Sequence, residues 1–191
     1  DDIALMRALP NMVVLEPASP SDYQDAVKAA LAHHGPVYLR LYRANTHSSN
    51  SADSPSWEIG KIRRLSNGND AVIFATGLMV EIALQASQEL KKHSINTTVV
   101  DCASIKPMDI DGILGEISKS KVVITAENHS IIGGLGSAIS EIIATNNIAR
   151  PFFRVGVQDC FAEGGSRDFL FRKYGLAADD IIKKVKQGLA N

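Results

Sequence analysis

The feature that most constrains this chain is a run of short, wholly apolar segments separated by amphipathic ones. Ala71-Val72-Ile73-Phe74-Ala75, Thr97-Thr98-Val99-Val100, Val122-Val123-Ile124-Thr125 and Phe152-Phe153-Arg154-Val155 lack the polar alternation of a strand with one wet face. Between them, Met79, Ile82, Ala83, Ala86 and Leu90 recur at helical spacing, as do Ile110, Ile113, Leu114 and Ile117, and then Leu135, Ile139, Ile142 and Ile143. Lys106-Pro107 is read as opening the second of these helices. Further helical patterns lie at Phe169-Leu170 and at Ile181, Ile182, Val185 and Leu189. Strands buried on both faces and joined by helices predict a mostly parallel sheet inside a three-layer α/β/α domain.

A second, smaller α/β pattern precedes it. Met12-Val13-Val14-Leu15 reads as a buried strand closed by Pro17. Ser19 and Pro20 mark a helix start, followed by Tyr23, Ala26, Val27, Ala30 and Leu31 at helical spacing. His33-His34-Gly35-Pro36 stops that helix, and residues 37–42 alternate as a strand with Val37, Leu39 and Leu41 on one face. This is a βαβ unit, whose crossover implies parallel pairing. Residues 46–60, rich in serine, read as a linker. The expected organisation is a partial βαβ piece at residues 1–45, the linker, and a domain at residues 61–191. A helical pattern (Ile3, Met6, Leu9) already runs at Asp1-Asp2, so the chain reads as part of something longer.

Composition narrows the function classes. The 20 Lys and Arg against 21 Asp and Glu leave a net charge of −1, without the basic excess of a nucleic-acid binder. No run supplies the ~20 apolar residues of a bilayer span. Two cysteines, Cys102 and Cys160, exclude a disulfide framework and a four-thiolate zinc site, and both are read as packing thiols. The expectation is a cytoplasmic protein with no nucleic-acid or membrane partner.

Ligands of open parallel sheets bind at the carboxyl ends of the strands. Three places qualify. The run Arg40-Leu41-Tyr42-Arg43 puts Arg43 at a strand exit, where its guanidinium could hold a phosphate or carboxylate, or simply lie on a surface loop; Arg40 belongs to the same run. Glu127-Asn128-His129 ends the third strand of the larger domain, and Glu127 and His129 share a face. Acid/base work and a local hydrogen bond are both open to that pair. Gly133-Gly134-Leu135-Gly136-Ser137 opens a helix and could cradle an anion, but Ile139 stands where a dinucleotide fingerprint needs Gly or Ala, so a tight packed turn is the better reading. Adjacent His33 and His34 point apart and read as a solvated helix end. Glu163-Gly164-Gly165-Ser166-Arg167-Asp168 reads as a capped helix start or an anion surface.

These residues carry a resemblance. The opening residues 1–12, the run from Gly35 to Arg43, the stretch Ala126-Glu127-Asn128-His129-Ser130-Ile131-Ile132-Gly133-Gly134-Leu135-Gly136-Ser137-Ala138, and Val157-Gln158-Asp159-Cys160-Phe161-Ala162-Glu163-Gly164-Gly165 together resemble the transketolase family. The resemblance implies the end of a pyrimidine-binding domain followed by a transketolase C-terminal domain. It implies a thiamine-diphosphate- and Mg²⁺-dependent transfer of a two-carbon ketol unit between sugar phosphates. The activating glutamate, the substrate histidine and the diphosphate site would then lie upstream or on another subunit, and this chain alone would be inactive. Asp111-Gly112 with Asn146-Asn147 does not fit the family's metal motif, because Ile110 replaces its first glycine. Arg43 matches the family's sugar-phosphate arginine, with Tyr42 before it and Ala44 after it. The larger domain would serve a homodimer or an N-terminal partner subunit, with no catalytic residue of its own. Rival readings are a 1-deoxy-D-xylulose-5-phosphate synthase, a 2-oxoacid dehydrogenase beta subunit, or a non-catalytic dimerisation module.

Overall fold

The computed structural model describes residues 1–42 and 57–190. Arg43 and residues 46–56 of the expected linker lie outside the described residues.

Helix α1 (Asp2–Ala8) leads into strand β1 (Val13–Leu15), helix α2 (Pro20–Ala32) and strand β2 (Val37–Leu39). The Ser19 hydroxyl accepts the Asp22 N–H and Pro20 fills the first helical turn, as the sequence predicts. β1 and β2 pair in parallel, Val13 opposite Val37 and Leu15 opposite Leu39, which completes the predicted βαβ unit. β2 ends at Leu39 rather than Tyr42, and Leu41 is exposed. Arg40 therefore follows the end of the strand directly.

The larger part runs β3 (Arg63–Arg64), β4 (Ala71–Ala75), α3 (Met79–Lys92), β5 (Thr97–Asp101), β6 (Ser104–Lys106), α4 (Ile110–Ser118), β7 (Val122–Ser130), α5 (Leu135–Thr145), β8 (Phe152–Val157), α6 (Arg167–Lys173) and α7 (Ala178–Leu189). Five strands lie in the order β3-β5-β4-β7-β8, parallel except for β3. One sheet face packs Ile73, Val99 and Ile124 against Ala83 and Leu90 of α3 and Ile181 and Val185 of α7. The other packs Val72, Phe74 and Val100 against Ile113 of α4 and Leu135 and Ile139 of α5. The result is the expected three-layer α/β/α domain.

Lys106 does not open a helix. It ends β6, and α4 starts at Ile110 behind an Asp109 cap whose carboxylate accepts the Gly112 N–H. β6 leaves the large sheet and pairs antiparallel with β1, giving a second sheet ordered β2-β1-β6. Ile105 of β6 is then buried with Ile3 and Val14. Lys106 Nζ donates to the Arg7 and Leu9 carbonyls at the end of α1, at 2.9 and 2.6 Å. The two α/β pieces thus share one mixed sheet. Cys102 is buried, but Cys160 is exposed in the turn after β8, so the packing role expected of it does not hold. His33 and His34 are exposed, as read. Among the described residues, no helix is long and apolar enough to cross a membrane.

Candidate functional site

The strand order fixes where a site can form. From β4 the chain passes to β5 on one side and later to β7 on the other, so the carboxyl ends of β4 and β7 flank a topological switch point. Thr76 and Gly77 follow β4 there, and Glu127 and Asn128 stand level with them on β7.

The crevice is partly filled from the amino-terminal piece. Glu16, just past β1, is fully buried. Its backbone carbonyl accepts the Thr76 hydroxyl at 3.3 Å, and its carboxylate presses on Gly77 so closely that a Cβ there would sit 2.6 Å from Oε1. Gly77 also holds φ +53°, so glycine is required twice over. Arg40 and the Tyr42 hydroxyl both donate to Glu16 Oε1, and Arg40 also donates to Tyr42 Oη. A third Arg40 bond reaches the Asn128 carbonyl at 3.1 Å, and its Nε pairs with Asp2 at 2.8 Å. Burial disfavours the Arg40 charge, but Glu16, Tyr42 and Asp2 outweigh it and raise the pKa further. Tyr42 is driven well above its usual range by burial and then by Glu16. Tyr38 donates to Asp2 at 2.7 Å and is pushed up to about 12, while Asp2 stays below its ordinary value because Tyr38 and Arg40 outweigh its burial.

Glu127 and His129 do share a face of β7, with Oε2 and Nδ1 at 3.7 Å. Their main bonds go elsewhere. Glu127 is fully buried and accepts the N–H groups of Leu135 and Gly136 at 2.8 and 2.9 Å. The anion cradled by the glycine-rich helix start is therefore the protein's own carboxylate. Burial raises Glu127 to about 7 against the lowering pull of those two N–H groups. His129 is held below its ordinary pKa, first by burial; Nδ1 lies 2.7 Å from the Ser130 carbonyl and Nε2 3.8 Å from Asp2. Asp2 thus links His129 to Arg40, and one polar network joins the two pieces.

The structure brings together Arg40, Glu127 and His129 among the residues singled out from the sequence. It adds Asp2, Glu16, Tyr42 and Asn128, which had not been singled out as site residues. The strand-end rule that selects Arg43 would also have found Glu16, which directly follows β1. A second buried cluster, in which Arg63 pairs with Asp22 and Asp101, also crosses between the pieces. Among the described residues, no group of three or more His, Cys, Asp or Glu side chains is placed to hold a metal ion.

Comparison with known proteins places this arrangement. The transketolase pyrimidine-binding domain matches residues 1–48, and the transketolase C-terminal domain matches residues 60–181. A protein of Methanocaldococcus jannaschii named as a transketolase C-terminal section is 40% identical over 189 residues, covering 98% of this chain and 58% of that protein. A 1-deoxy-D-xylulose-5-phosphate synthase of Caldanaerobacter subterraneus subsp. tengcongensis is 35% identical over 190 residues, 97% of this chain and 30% of its own length. A solved structure described as a split-gene transketolase, an inactive β4 tetramer, superposes with a TM-score of 0.93 at 40% identity, over 99% of this chain and 61% of that one. The chain thus spans well under two thirds of the length of these proteins.

Proposed function

Because the chain belongs to the transketolase family, a family of thiamine-diphosphate-dependent transferases, we propose that it is the carboxy-terminal part of an enzyme that moves a two-carbon ketol unit between sugar phosphates. The match of both pieces, in family order, carries this reading. The cofactor, with Mg²⁺, supplies the nucleophile and the electron sink. The described residues do not fit a magnesium–diphosphate site: no metal-holding cluster of side chains lies among them, and Glu16, Arg40 and Tyr42 spend their polar groups on one another in the switch-point crevice. Their contribution is placement. Arg40 ties the end of β2 to β1 through Glu16 and to β7 through the Asn128 carbonyl. Arg43, three residues further along the chain, is the sugar-phosphate ligand in this reading, its guanidinium suited to a bidentate grip on phosphate. A partner subunit or upstream segment supplies the activating glutamate, the substrate histidine and the diphosphate site. The larger domain contributes to the assembly of subunits, a role supported by the tetramer described for its split-gene relative.

The test is ketol transfer from xylulose 5-phosphate with thiamine diphosphate and Mg²⁺, using the chain alone and then with its amino-terminal counterpart added. The expected result is no turnover alone and turnover on reconstitution. Arg43→Gln should then raise KM for the sugar phosphate about tenfold or more with a smaller effect on kcat. Turnover by the isolated chain would overturn the proposal. The synthase relative favours a second reading, in which pyruvate and glyceraldehyde 3-phosphate are the productive pair in the same assay.

A further inference from the structure

The side chains of the amino-terminal piece fill only part of the switch-point crevice. Beside them lies a cavity of roughly 400 Å³, within the range of small-molecule sites. Leu78 after β4, Asn128 of β7 and Val157 at the end of β8 line it, so it sits at the carboxyl edge of three neighbouring parallel strands. Tyr42 closes one side, and Leu170 and Phe171 of α6 close another. The wall is therefore mainly aliphatic and aromatic. Arg167, in the first turn of α6, is its single cation among the described residues. Among the described residues Arg167 makes no hydrogen bond, and its one ion-pair contact is Asp168, next in the chain and largely exposed, at 3.5 Å. An apolar chamber with one uncommitted fork of N–H donors fits a ligand with an apolar body and one planar, singly charged anionic end. A planar carboxylate, with one charge and two oxygens, matches that one fork of donors in charge and shape.

We propose that this cavity binds a small aryl or branched-alkyl carboxylate, with the body against Leu78, Leu170 and Phe171 and the carboxylate on Arg167. The proposal does not depend on the ketol-transfer reading. Two of the cavity's lining residues, Tyr42 and Asn128, also belong to the network that joins the two pieces.

The test uses the ¹⁵N-labelled 191-residue chain titrated with 4-phenylbutyrate and, in parallel, with the neutral isostere 4-phenylbutan-1-ol. The expected result is saturable binding of the acid, with amide shifts concentrated at Leu78, Asn128, Val157 and residues 167–171. The alcohol should bind at least about tenfold more weakly. Arg167→Gln is a surface change that leaves the fold intact; it should bring the acid-to-alcohol ratio close to one while leaving alcohol affinity unchanged. Leu170→Trp, which fills the chamber, should weaken both probes about tenfold, with amide dispersion reporting whether it folds. Three results overturn the proposal: no saturation of the acid at about 10 mM, shifts that map to another face, or an acid preference that survives Arg167→Gln. If Leu170→Trp does not fold, the Arg167→Gln comparison still decides.

Discussion

Glu16 is the residue on which the junction turns. It is a fully buried carboxylate whose Oε1 takes bonds from Arg40 and Tyr42, while its Oε2 has no hydrogen-bond partner among the described residues. Removing such a group leaves a mostly buried guanidinium short of its counter-charge. Glu16→Ala should therefore cost about 3 kcal/mol in urea unfolding, against under ~1 kcal/mol for the exposed pair partner Asp25→Ala. Glu127 makes a pH prediction. Its pKa rises from 4.5 to about 7 on folding, so the folded protein binds the proton more tightly. Its contribution to stability is then most favourable below pH 4.5 and declines as pH rises toward 7. Glu127→Gln should flatten that decline by up to about 3 kcal/mol across the window, read as the pH dependence of the difference in unfolding free energy.

At the scale of elements, the glycine turn before α5 is built around the Glu127 carboxylate. A Cβ on Gly134 would lie 1.9 Å from Glu127 Oε2. Gly134→Ala should push that carboxylate off the Leu135 and Gly136 N–H groups and destabilise by about 2–3 kcal/mol in thermal or urea unfolding. Gly115→Ala, where a Cβ meets nothing, is the control within a helix. The same comparison shows what the sequence discloses about elements. β1, β4, β5, β7 and β8 are legible because contiguous apolar runs have few other homes, and α2 because Ser19 and Pro20 punctuate it. β3 and β6 are not legible. Arg63-Arg64 and Ser104-Ile105-Lys106 are short and polar, and they become strands only because β5 and β1 offer them antiparallel edges from distant sequence. Local pattern carries no trace of such long-range pairing. The candidate site follows the same logic. Arg40, Glu127 and His129 stand out as polar residues at strand ends, whereas the partners that fix their roles, Asp2 and Glu16, lie far off in sequence.

The ties across the two pieces include β6 on β1, the Arg40 network, the bonds of Arg7 to the Gly133 carbonyl and Glu141, and the buried Arg63 paired with Asp22 and Asp101. These ties predict one cooperative unfolding transition, with β1 and β6 amides exchanging hydrogen together rather than β1 opening first. Arg63→Ala, which leaves two buried carboxylates without their shared cation, should cost about 3–5 kcal/mol and separate the two exchange classes. Two transitions in the native chain would show the pieces to be independent.

The lending of β6 has a practical result for anyone who cuts or transplants this protein. Severed before Trp57, the larger part would carry a naked strand edge at Ser104–Lys106, an uncovered Ile105 and an Arg63 stripped of Asp22. Such a piece invites edge-to-edge aggregation. A chimera that moves this region should carry β1 along with β6, so that the Ser104–Lys106 edge stays paired.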